Sequence, residues 1–410
     1  MKPGPGPAGL APLARRVGPR PLALHLAAAT SIWTGSKNAW PLSSGGLGSW
    51  SPSLGNLSLV SASLAAELAN VPPEKLAAAL DLESRARLDQ FLTGLETYRA
   101  HKYRRDLDEP PVVWREGTTR LLDYGGAGPP VLVIPSLVNR AYVLDLDDET
   151  SMMRHLAAQG LRPLLVDWGA PGEVERKFTL TDYIAGRLGR ALDAIDEPAA
   201  LLGYCMGGNL ALSLALLRPR DVTGVVLMAT PWDFHAPMGG AHPVLKALGP
   251  ALDAMIDVLG ELPVDVLQTL FFSLDPTQSW AKFRGFAALD PESDAARRFV
   301  ALEDWANDGI PLAGGVAREC LFGWYGDNSP AAGKWFVAGE PVLPDAVDVP
   351  SLHVIPARDR IVPPESARAL AAIVPGATML TPQAGHVGMA VGSRAEREVW
   401  EPVAQWLLKL

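Results

Sequence analysis

One short stretch constrains the fold more than any other part of the sequence: Gly203-Tyr204-Cys205-Met206-Gly207-Gly208. Before it, residues 199–202 predict a short buried strand, and after it residues 209–217 predict an apolar helix. Glycines on both sides of the cysteine permit a sharp strand-to-helix turn and a close approach of the helix to the strand. The pattern therefore predicts that the Cys205 thiol projects at the carboxyl edge of a sheet.

Strand and helix signals alternate on both sides of this turn. Strands are predicted at 112–114, 119–124, 130–135, 162–167, 199–202, 224–229, 351–356 and 377–380, and helices at 151–159, 180–195, 209–217 and 394–408. This alternation predicts a mostly parallel sheet with helices on both faces. Between 231 and 344 apolar helical stretches replace the strands, which predicts a helical cap inserted into the sheet domain.

Four segments follow from this reading. They are an N-terminal irregular and helical region at 1–109, a first part of the core at 110–230, the cap at 231–344 and a second part of the core at 345–410. Residues 1–60 are rich in glycine, proline, alanine and serine, which predicts a mainly irregular segment. From 61 to about 105 the pattern is helical, with Pro72-Pro73 separating two helices.

Composition excludes several classes of function. The formal net charge of −9 and the lack of a basic stripe argue against a nucleic-acid partner. Two cysteines make neither a disulfide framework nor a zinc constellation. The apolar run at 22–29 is short and interrupted by His25, and no segment reaches the roughly 18 uninterrupted apolar residues of a membrane span. We expect a cytoplasmic protein without a membrane span.

A histidine and an acid follow the cysteine in the chain. Asp359 lies in the loop after the strand at 351–356, and His386 lies in the loop after the strand at 377–380. Because parallel strands bring their carboxyl ends to one edge, Cys205, Asp359 and His386 can converge as nucleophile, orienting acid and base. In the alternative interpretation Asp359 pairs with Arg358 or Arg360, and His386 caps a loop.

Acyl chemistry at Cys205 also requires donors for an oxyanion. The backbone N–H of Met206, directly after the nucleophile, is the first candidate. The second comes from the loop after the strand at 130–135, where Leu137 and Val138 are both plausible and Val138 is favoured. The other cysteine, Cys320, and His353 lie in apolar surroundings and are expected to be structural.

Several segments together resemble polyhydroxyalkanoate (poly-3-hydroxybutyrate) synthases, a family of the α/β-hydrolase superfamily. The resemblance covers residues from about 110 to 408 and, besides the turn at Cys205, rests on 138–146 (Val-Asn-Arg-Ala-Tyr-Val-Leu-Asp-Leu), 167–169 (Asp-Trp-Gly), 180–184 (Leu-Thr-Asp-Tyr-Ile), 230–234 (Thr-Pro-Trp-Asp-Phe), 305–308 (Trp-Ala-Asn-Asp) with Pro311, and 385–388 (Gly-His-Val-Gly). One departure is Arg360, since family members commonly have histidine after the triad aspartate.

The resemblance implies an α/β-hydrolase fold with an inserted helical cap. It further implies an acyltransferase that takes 3-hydroxyacyl groups from coenzyme A onto Cys205 and passes them to a hydroxyl acceptor, with His386 as base and Asp359 as its partner. Coenzyme A is then part of a substrate, and no metal or other cofactor is expected. A polyester chain or granule surface and a second copy of the chain are the expected partners.

Two other functions are compatible with the same residues. One is a thioesterase or esterase with the same Cys-His-Asp triad, because control of water decides between transfer and hydrolysis. The other is a non-catalytic protein that binds a polymer granule or lipid surface. A thioester at Cys205 favours transfer, since exchange with coenzyme A is nearly isoenergetic and the bond stays reactive toward an alcohol.

Overall fold

The computed structural model describes residue 16 and residues 18–44, 70–236 and 241–410, with only the backbone described at 34–44 and 241–246. Contacts within the chain divide it into two compact units. The smaller unit contains the described residues up to Tyr103 together with Asp275–Asn307. The larger unit contains Arg104–Leu274 together with Asp308–Leu410.

The larger unit is built on an eight-stranded sheet. In chain order its strands are β1 (Val112–Glu116), β2 (Thr119–Asp123), β3 (Pro130–Ile134), β4 (Arg162–Asp167), β5 (Ala199–Tyr204), β6 (Val222–Met228), β7 (Ser351–Val354) and β8 (Thr378–Leu380). Their order across the sheet is β1-β2-β4-β3-β5-β6-β7-β8. The pairs β1/β2 and β2/β4 are antiparallel, and all other neighbours are parallel. The predicted mostly parallel sheet is confirmed.

Helices connect most of the parallel strands. Those of the larger unit are Met152–Ala158, Asp182–Leu188 (π-helical) with Gly189–Asp193, Met206–Leu217, Ala241–Leu259, Val264–Leu274, Gly314–Arg318 with Glu319–Gly326 (π-helical), Pro364–Ala371, Gly388–Val391, and Glu396–Trp400 (π-helical) with Glu401–Leu407. Short two-residue strands pair Glu261–Leu262 with Leu312–Ala313, and Phe336–Val337 with Glu340–Pro341. The predicted alternation of strand and helix is therefore observed.

The centre of the sheet is buried on both faces. Every residue of β3 and β5 is buried, which agrees with their unbroken apolar sequences. The register places Leu132 beside Leu201, and Leu201 beside Val225. Because β5, β7 and β8 all run parallel to β6, the loops after these three strands lie at one edge of the sheet.

The smaller unit is helical. Its helices are Leu22–Ser44, Pro73–Ala100, Pro276–Ala287 and Asp294–Asn307. Aromatic rings fill its core: Phe286 stacks on Phe299 with ring centroids 4.3 Å apart, and Phe91 stacks on Trp280 at 5.5 Å. Two helices from within the predicted cap thus belong to the same unit as the N-terminal helices, while the predicted boundaries at 109, 230 and 344 stay predictions.

The prediction for residues 1–60 is wrong for part of that range. Leu22–Ser44 forms a helix, although glycine, serine and proline in this range indicated irregular structure. Leucine and alanine, which have high helix propensity, dominate its first turns and outweigh the poorer helix formers. The helix predicted just before Pro72 falls largely outside the described residues. No helix within the described ranges is long and apolar enough to cross a membrane.

Candidate active site

Cys205 occupies the turn between β5 and the helix Met206–Leu217. Its backbone has φ 57° and ψ −128°, a conformation that residues other than glycine rarely adopt. Such a conformation costs on the order of 1–3 kcal/mol and persists only where the surrounding structure enforces it. Here the Cys205 N–H donates to the carbonyl oxygen of Met228 at 2.8 Å, and its own carbonyl accepts from the Gly208 N–H at 2.9 Å. The turn is therefore fixed from both sides.

Two glycines of the turn are required by close packing. A Cβ at Gly207 would overlap the carbonyl oxygen of Ile134, and a Cβ at Gly208 would overlap the side chain of Thr230. Ile134 ends β3, and Thr230 lies just after β6. The first turn of the helix thus presses against the ends of the two strands that flank β5, which holds Cys205 at the carboxyl edge of the sheet.

Asp359 and His386 meet at this edge. Nδ1 of His386 lies 2.7 Å from Oδ2 of Asp359, and the Asp359 side chain is completely buried. The other carboxylate oxygen, Oδ1, accepts hydrogen bonds from the backbone N–H groups of Ile361 and Val362, both at 2.8 Å. Three donors therefore hold the carboxylate, and the carboxylate in turn fixes the orientation of the imidazole. The alternative pairing of Asp359 with Arg358 or Arg360 is not what the structure shows.

Cys205 also lies close enough to His386 to influence its protonation. Burial lowers the pKa of His386, but the negative charge of Cys205 and the hydrogen bond and charge of Asp359 outweigh it and raise the pKa to about 10. The imidazole is therefore protonated at neutral pH when it stands beside a charged thiolate. Cys205 itself is half-buried. The hydrogen bond between Asp359 and His386 is the one that the predicted acid and base require, while the role of Cys205 as nucleophile stays a prediction.

Two tyrosines that the sequence did not single out surround these groups. The Tyr204 ring lies 5.3 Å from the His386 ring, and its hydroxyl donates to the His386 carbonyl at 3.4 Å. Tyr325, from the π-helical segment Glu319–Gly326, packs edge-on against Phe234 at 4.9 Å. Burial first and then the charge of Cys205 raise the pKa of both tyrosines, so both hydroxyls stay neutral. Tyr204 adjoins Cys205 in sequence, but nothing local indicates Tyr325.

The two predicted oxyanion donors occupy different environments. Met206 is the first residue of its helix, where backbone N–H groups have no partner within the helix. The Val138 N–H donates to Oγ of Ser136 at 3.2 Å, so it must leave that acceptor before it can serve an oxyanion. Leu137, the other candidate, is buried beside it. The assignment of Met206 and Val138 stays a prediction, as do the catalytic roles of the triad.

The residues expected to be structural lie in the interior. His353 is buried within β7, and burial lowers its pKa to about 4. Cys320 is buried in the segment Glu319–Gly326, and burial raises the pKa of its thiol. Over the described ranges, no group of three or more histidine, cysteine, aspartate or glutamate side chains is arranged to hold a metal ion.

Sheet order, the turn at Cys205 and the Asp359–His386 pair together define a class, that of proteins with an α/β-hydrolase fold. A family model described as alpha/beta hydrolase fold matches residues 129–393. Among solved structures, the monoacylglycerol lipase of Paleococcus ferrophilus is similar, with a TM-score of 0.47 and 20% identity over 71% of this chain and 98% of that chain.

Curated relatives narrow the class. The "Poly(3-hydroxyalkanoate) polymerase subunit PhaC" of Allochromatium vinosum is 31% identical over 286 residues, which cover 68% of this chain and 80% of that protein. The protein of the same name from Synechocystis sp. is 32% identical over 293 residues, covering 68% of this chain and 77% of that protein. The chain belongs to the poly(3-hydroxyalkanoate) synthase family of α/β-hydrolase-fold proteins.

Proposed function

We propose that the chain is a polyhydroxyalkanoate-synthase-like acyltransferase, in which Cys205 accepts a 3-hydroxyacyl group from coenzyme A and passes it to a hydroxyl acceptor. Family membership and the names of the relatives support the reaction class. The observation that supports the assignment to residues is the hydrogen bond between His386 and Asp359 beside the strained strand-to-helix turn at Cys205, whose charge acts on the His386 imidazole.

In the first half-reaction, Sγ of Cys205 attacks the carbonyl carbon of the acyl-coenzyme A thioester. The negative charge that develops on the carbonyl oxygen is stabilised by the backbone N–H of Met206 and by one from Leu137 or Val138. The bond from carbon to the coenzyme A sulfur then breaks, and coenzyme A leaves as a thiol with the proton that His386 held. Because one thioester has replaced another, the free-energy change of this half-reaction is close to zero and the step is reversible.

In the second half-reaction, the acceptor hydroxyl gives its proton to His386 and its oxygen attacks the carbonyl carbon of the acyl-cysteine. An oxygen ester forms, the carbon–sulfur bond breaks, and Cys205 is restored as a thiolate beside a protonated imidazole. Asp359 stays ionised throughout and orients the ring. These steps use only the residues of the chain and two substrates, and we propose no resident cofactor.

We further propose that the acceptor is the hydroxyl of another acyl unit or of a growing polyester chain. Repetition of the two half-reactions then yields polymer, provided that water stays away from the acyl-cysteine. A cytoplasmic location, attachment to the polymer granule and assembly into a homodimer are proposals of the same kind.

Product analysis tests the proposed function. The purified protein is incubated with 3-hydroxybutyryl-coenzyme A, and coenzyme A release is measured together with the products. We expect coenzyme A release with polyester as the product. Release with free 3-hydroxybutyrate alone would favour the thioesterase alternative, and binding to polyester granules without any release would favour the non-catalytic one.

A further inference from the structure

The loop after β3 spans residues 135–145 and contains both candidates for the second oxyanion donor, Leu137 and Val138. It begins against the turn that carries the proposed nucleophile, because a Cβ on Gly207 would overlap the carbonyl oxygen of Ile134, the last residue of β3. The rest of the loop decides where the two candidate N–H groups point. The contacts that hold this loop therefore bear on the proposed reaction.

The chain at 308–310 pairs with the backbone of the loop. The Ile310 N–H donates to the Val138 carbonyl at 3.3 Å, and Asn139 forms an isolated antiparallel bridge with Gly309. A Cβ on Gly309 would lie only 3.3 Å from Oδ1 of Asn139, so glycine permits this close approach. The backbone of one candidate donor is therefore fixed by a second segment of the larger unit.

Asp308 supplements the backbone pairing with its side chain. Its Oδ2 accepts a hydrogen bond from the Tyr142 hydroxyl at 3.3 Å, and its Oδ1 lies 3.6 Å from Nε of Arg140. One carboxylate thus joins two residues of the loop to the chain that pairs with Val138. The Asp308 side chain is about half-exposed, so solvent weakens both contacts.

The other end of the loop is held in the interior. The Asp145 side chain is completely buried and accepts hydrogen bonds from Ser151 Oγ at 2.6 Å and from Arg154 Nε at 2.8 Å. Removal of this carboxylate would leave buried polar groups without a partner, which destabilises the fold itself. Asp308 is therefore the anchor of the loop that can be altered without disturbing the interior.

We propose that Asp308 is a positioning residue for the second oxyanion donor. Through Tyr142 and Arg140 it holds the loop after β3 so that a backbone N–H of this loop meets the oxyanion formed at Cys205. The inference rests on the proposed function and gives the acid of the motif 305–308 a role in it. Because a contact can bias a loop by no more than its own free energy, the expected effect on rate is moderate.

The main variant is Asp308→Ala, with Asp253→Ala as its control. Asp253 lies in the helix Ala241–Leu259 and pairs with Arg318, and the two side chains are 48% and 37% exposed. The pair of Asp308 with Arg140 is similarly exposed, at 49% and 34%. The readout is kcat/KM for coenzyme A release from 3-hydroxybutyryl-coenzyme A, which reports formation of the acyl-cysteine. We expect Asp308→Ala to lower it about tenfold through loss of one ion pair and one charged hydrogen bond, and Asp253→Ala to leave it unchanged.

Alkylation of Cys205 by iodoacetamide separates positioning of an oxyanion donor from a general disturbance of the site. The sulfur attacks the CH2 carbon, the carbon–iodine bond breaks and iodide leaves, so no oxyanion forms. The rate depends on the thiolate and not on a donor for an oxyanion. We expect Asp308→Ala to be alkylated at Cys205 at the wild-type rate, measured by mass spectrometry of the peptide that contains Cys205.

Two further variants test the contacts through which Asp308 acts. Asp308→Asn keeps an oxygen that can accept from Tyr142 but loses the charge beside Arg140, so we expect kcat/KM to fall only about twofold. Tyr142→Phe is expected to lower kcat/KM about fivefold in the wild-type background. In the Asp308→Ala background it should have no further effect, because the partner of the hydroxyl is already absent.

A wild-type kcat/KM in Asp308→Ala, or a fall in kcat/KM matched by an equal fall in the alkylation rate, would overturn the inference. An equal loss of kcat/KM in Asp253→Ala would do the same. A wild-type protein that releases no coenzyme A from 3-hydroxybutyryl-coenzyme A would instead contradict the proposed function. The two failures are therefore distinct.

Discussion

The carboxyl edge of the sheet and the packed interior contain the same two residue types with opposite properties. His386 and His353 are both buried, yet the pKa of His386 is raised to about 10 and that of His353 is lowered to about 4. Burial lowers the pKa at both sites. Only His386 also interacts with Asp359 and Cys205, so these partners, and not a difference in burial, separate the pKa of His386 from that of His353.

The two cysteines also lie one at the carboxyl edge of the sheet and one in the interior. Their substitution by alanine gives the largest difference in activity that we expect. We expect Cys205→Ala to lower coenzyme A release from 3-hydroxybutyryl-coenzyme A roughly 10⁶-fold, as loss of a nucleophile does in other triad enzymes. Cys320→Ala removes a buried side chain that the proposed reaction does not use and is expected to cost about 1 kcal/mol of unfolding free energy. Comparable rates of coenzyme A release in the two variants would contradict the prediction that only the cysteine at the edge of the sheet takes part in the reaction.

Titration by NMR measures the pKa values of His386 and His353 directly. We expect the His386 imidazole to lose its proton near pH 10 and the His353 imidazole to gain one only near pH 4. Cys205→Ala removes a negative charge that acts on His386, so the pKa of His386 is expected to fall while that of His353 stays. A His386 pKa that is unchanged in Cys205→Ala would show that the thiol does not act on this ring.

The same shifts set opposite dependences of stability on pH. His386 has a raised pKa, so its stabilisation is complete below the unfolded value of about 6.5 and is lost as the pH rises through about 10. His353 has a lowered pKa, so the folded state is favoured above about pH 6.5 and loses this advantage as the pH falls through about 4.

The smallest effect concerns Tyr204. Tyr204→Phe keeps the ring against His386 but removes the hydroxyl that donates to the His386 carbonyl at 3.4 Å. We expect a loss of about 1 kcal/mol in unfolding free energy and a decrease of a few-fold in kcat. The control is Tyr98→Phe, which removes a hydroxyl that hydrogen-bonds to Asp304 in the smaller unit. We expect this variant to leave kcat unchanged. Equal losses of kcat in both variants would contradict a positioning role for Tyr204.

Local sequence patterns predicted the features that are local in origin. The strands of the sheet and the turn at Cys205 follow from apolar runs, glycines and chain order, and these also placed Asp359 and His386 in the loops where they meet. The approach of Tyr325 to Cys205 was not predictable in this way. It depends on how the segment Glu319–Gly326 packs, about 120 residues further along the chain.

Other misses have similar causes. The helix Leu22–Ser44 was missed because the glycine, serine and proline of its range indicated irregular structure, although leucine and alanine, which favour helix, dominate its first turns. The hydrogen bond from the Val138 N–H to Ser136 depends on the exact loop conformation, which sequence does not specify. Residues 231–344 were predicted to form one helical cap, but two helices of that range, Pro276–Ala287 and Asp294–Asn307, group with the N-terminal helices, and this grouping rests on long-range contacts.

The interaction between His386 and Cys205 gives the proposed reaction a built-in order of events. Once the sulfur carries an acyl group it is neutral, so one of the two charges that raise the pKa of the imidazole is gone, while burial still disfavours the cation. The ring is then free to release its proton to departing coenzyme A and waits as a base for the alcohol. Acylation of Cys205 thus converts His386 from a proton donor into a proton acceptor.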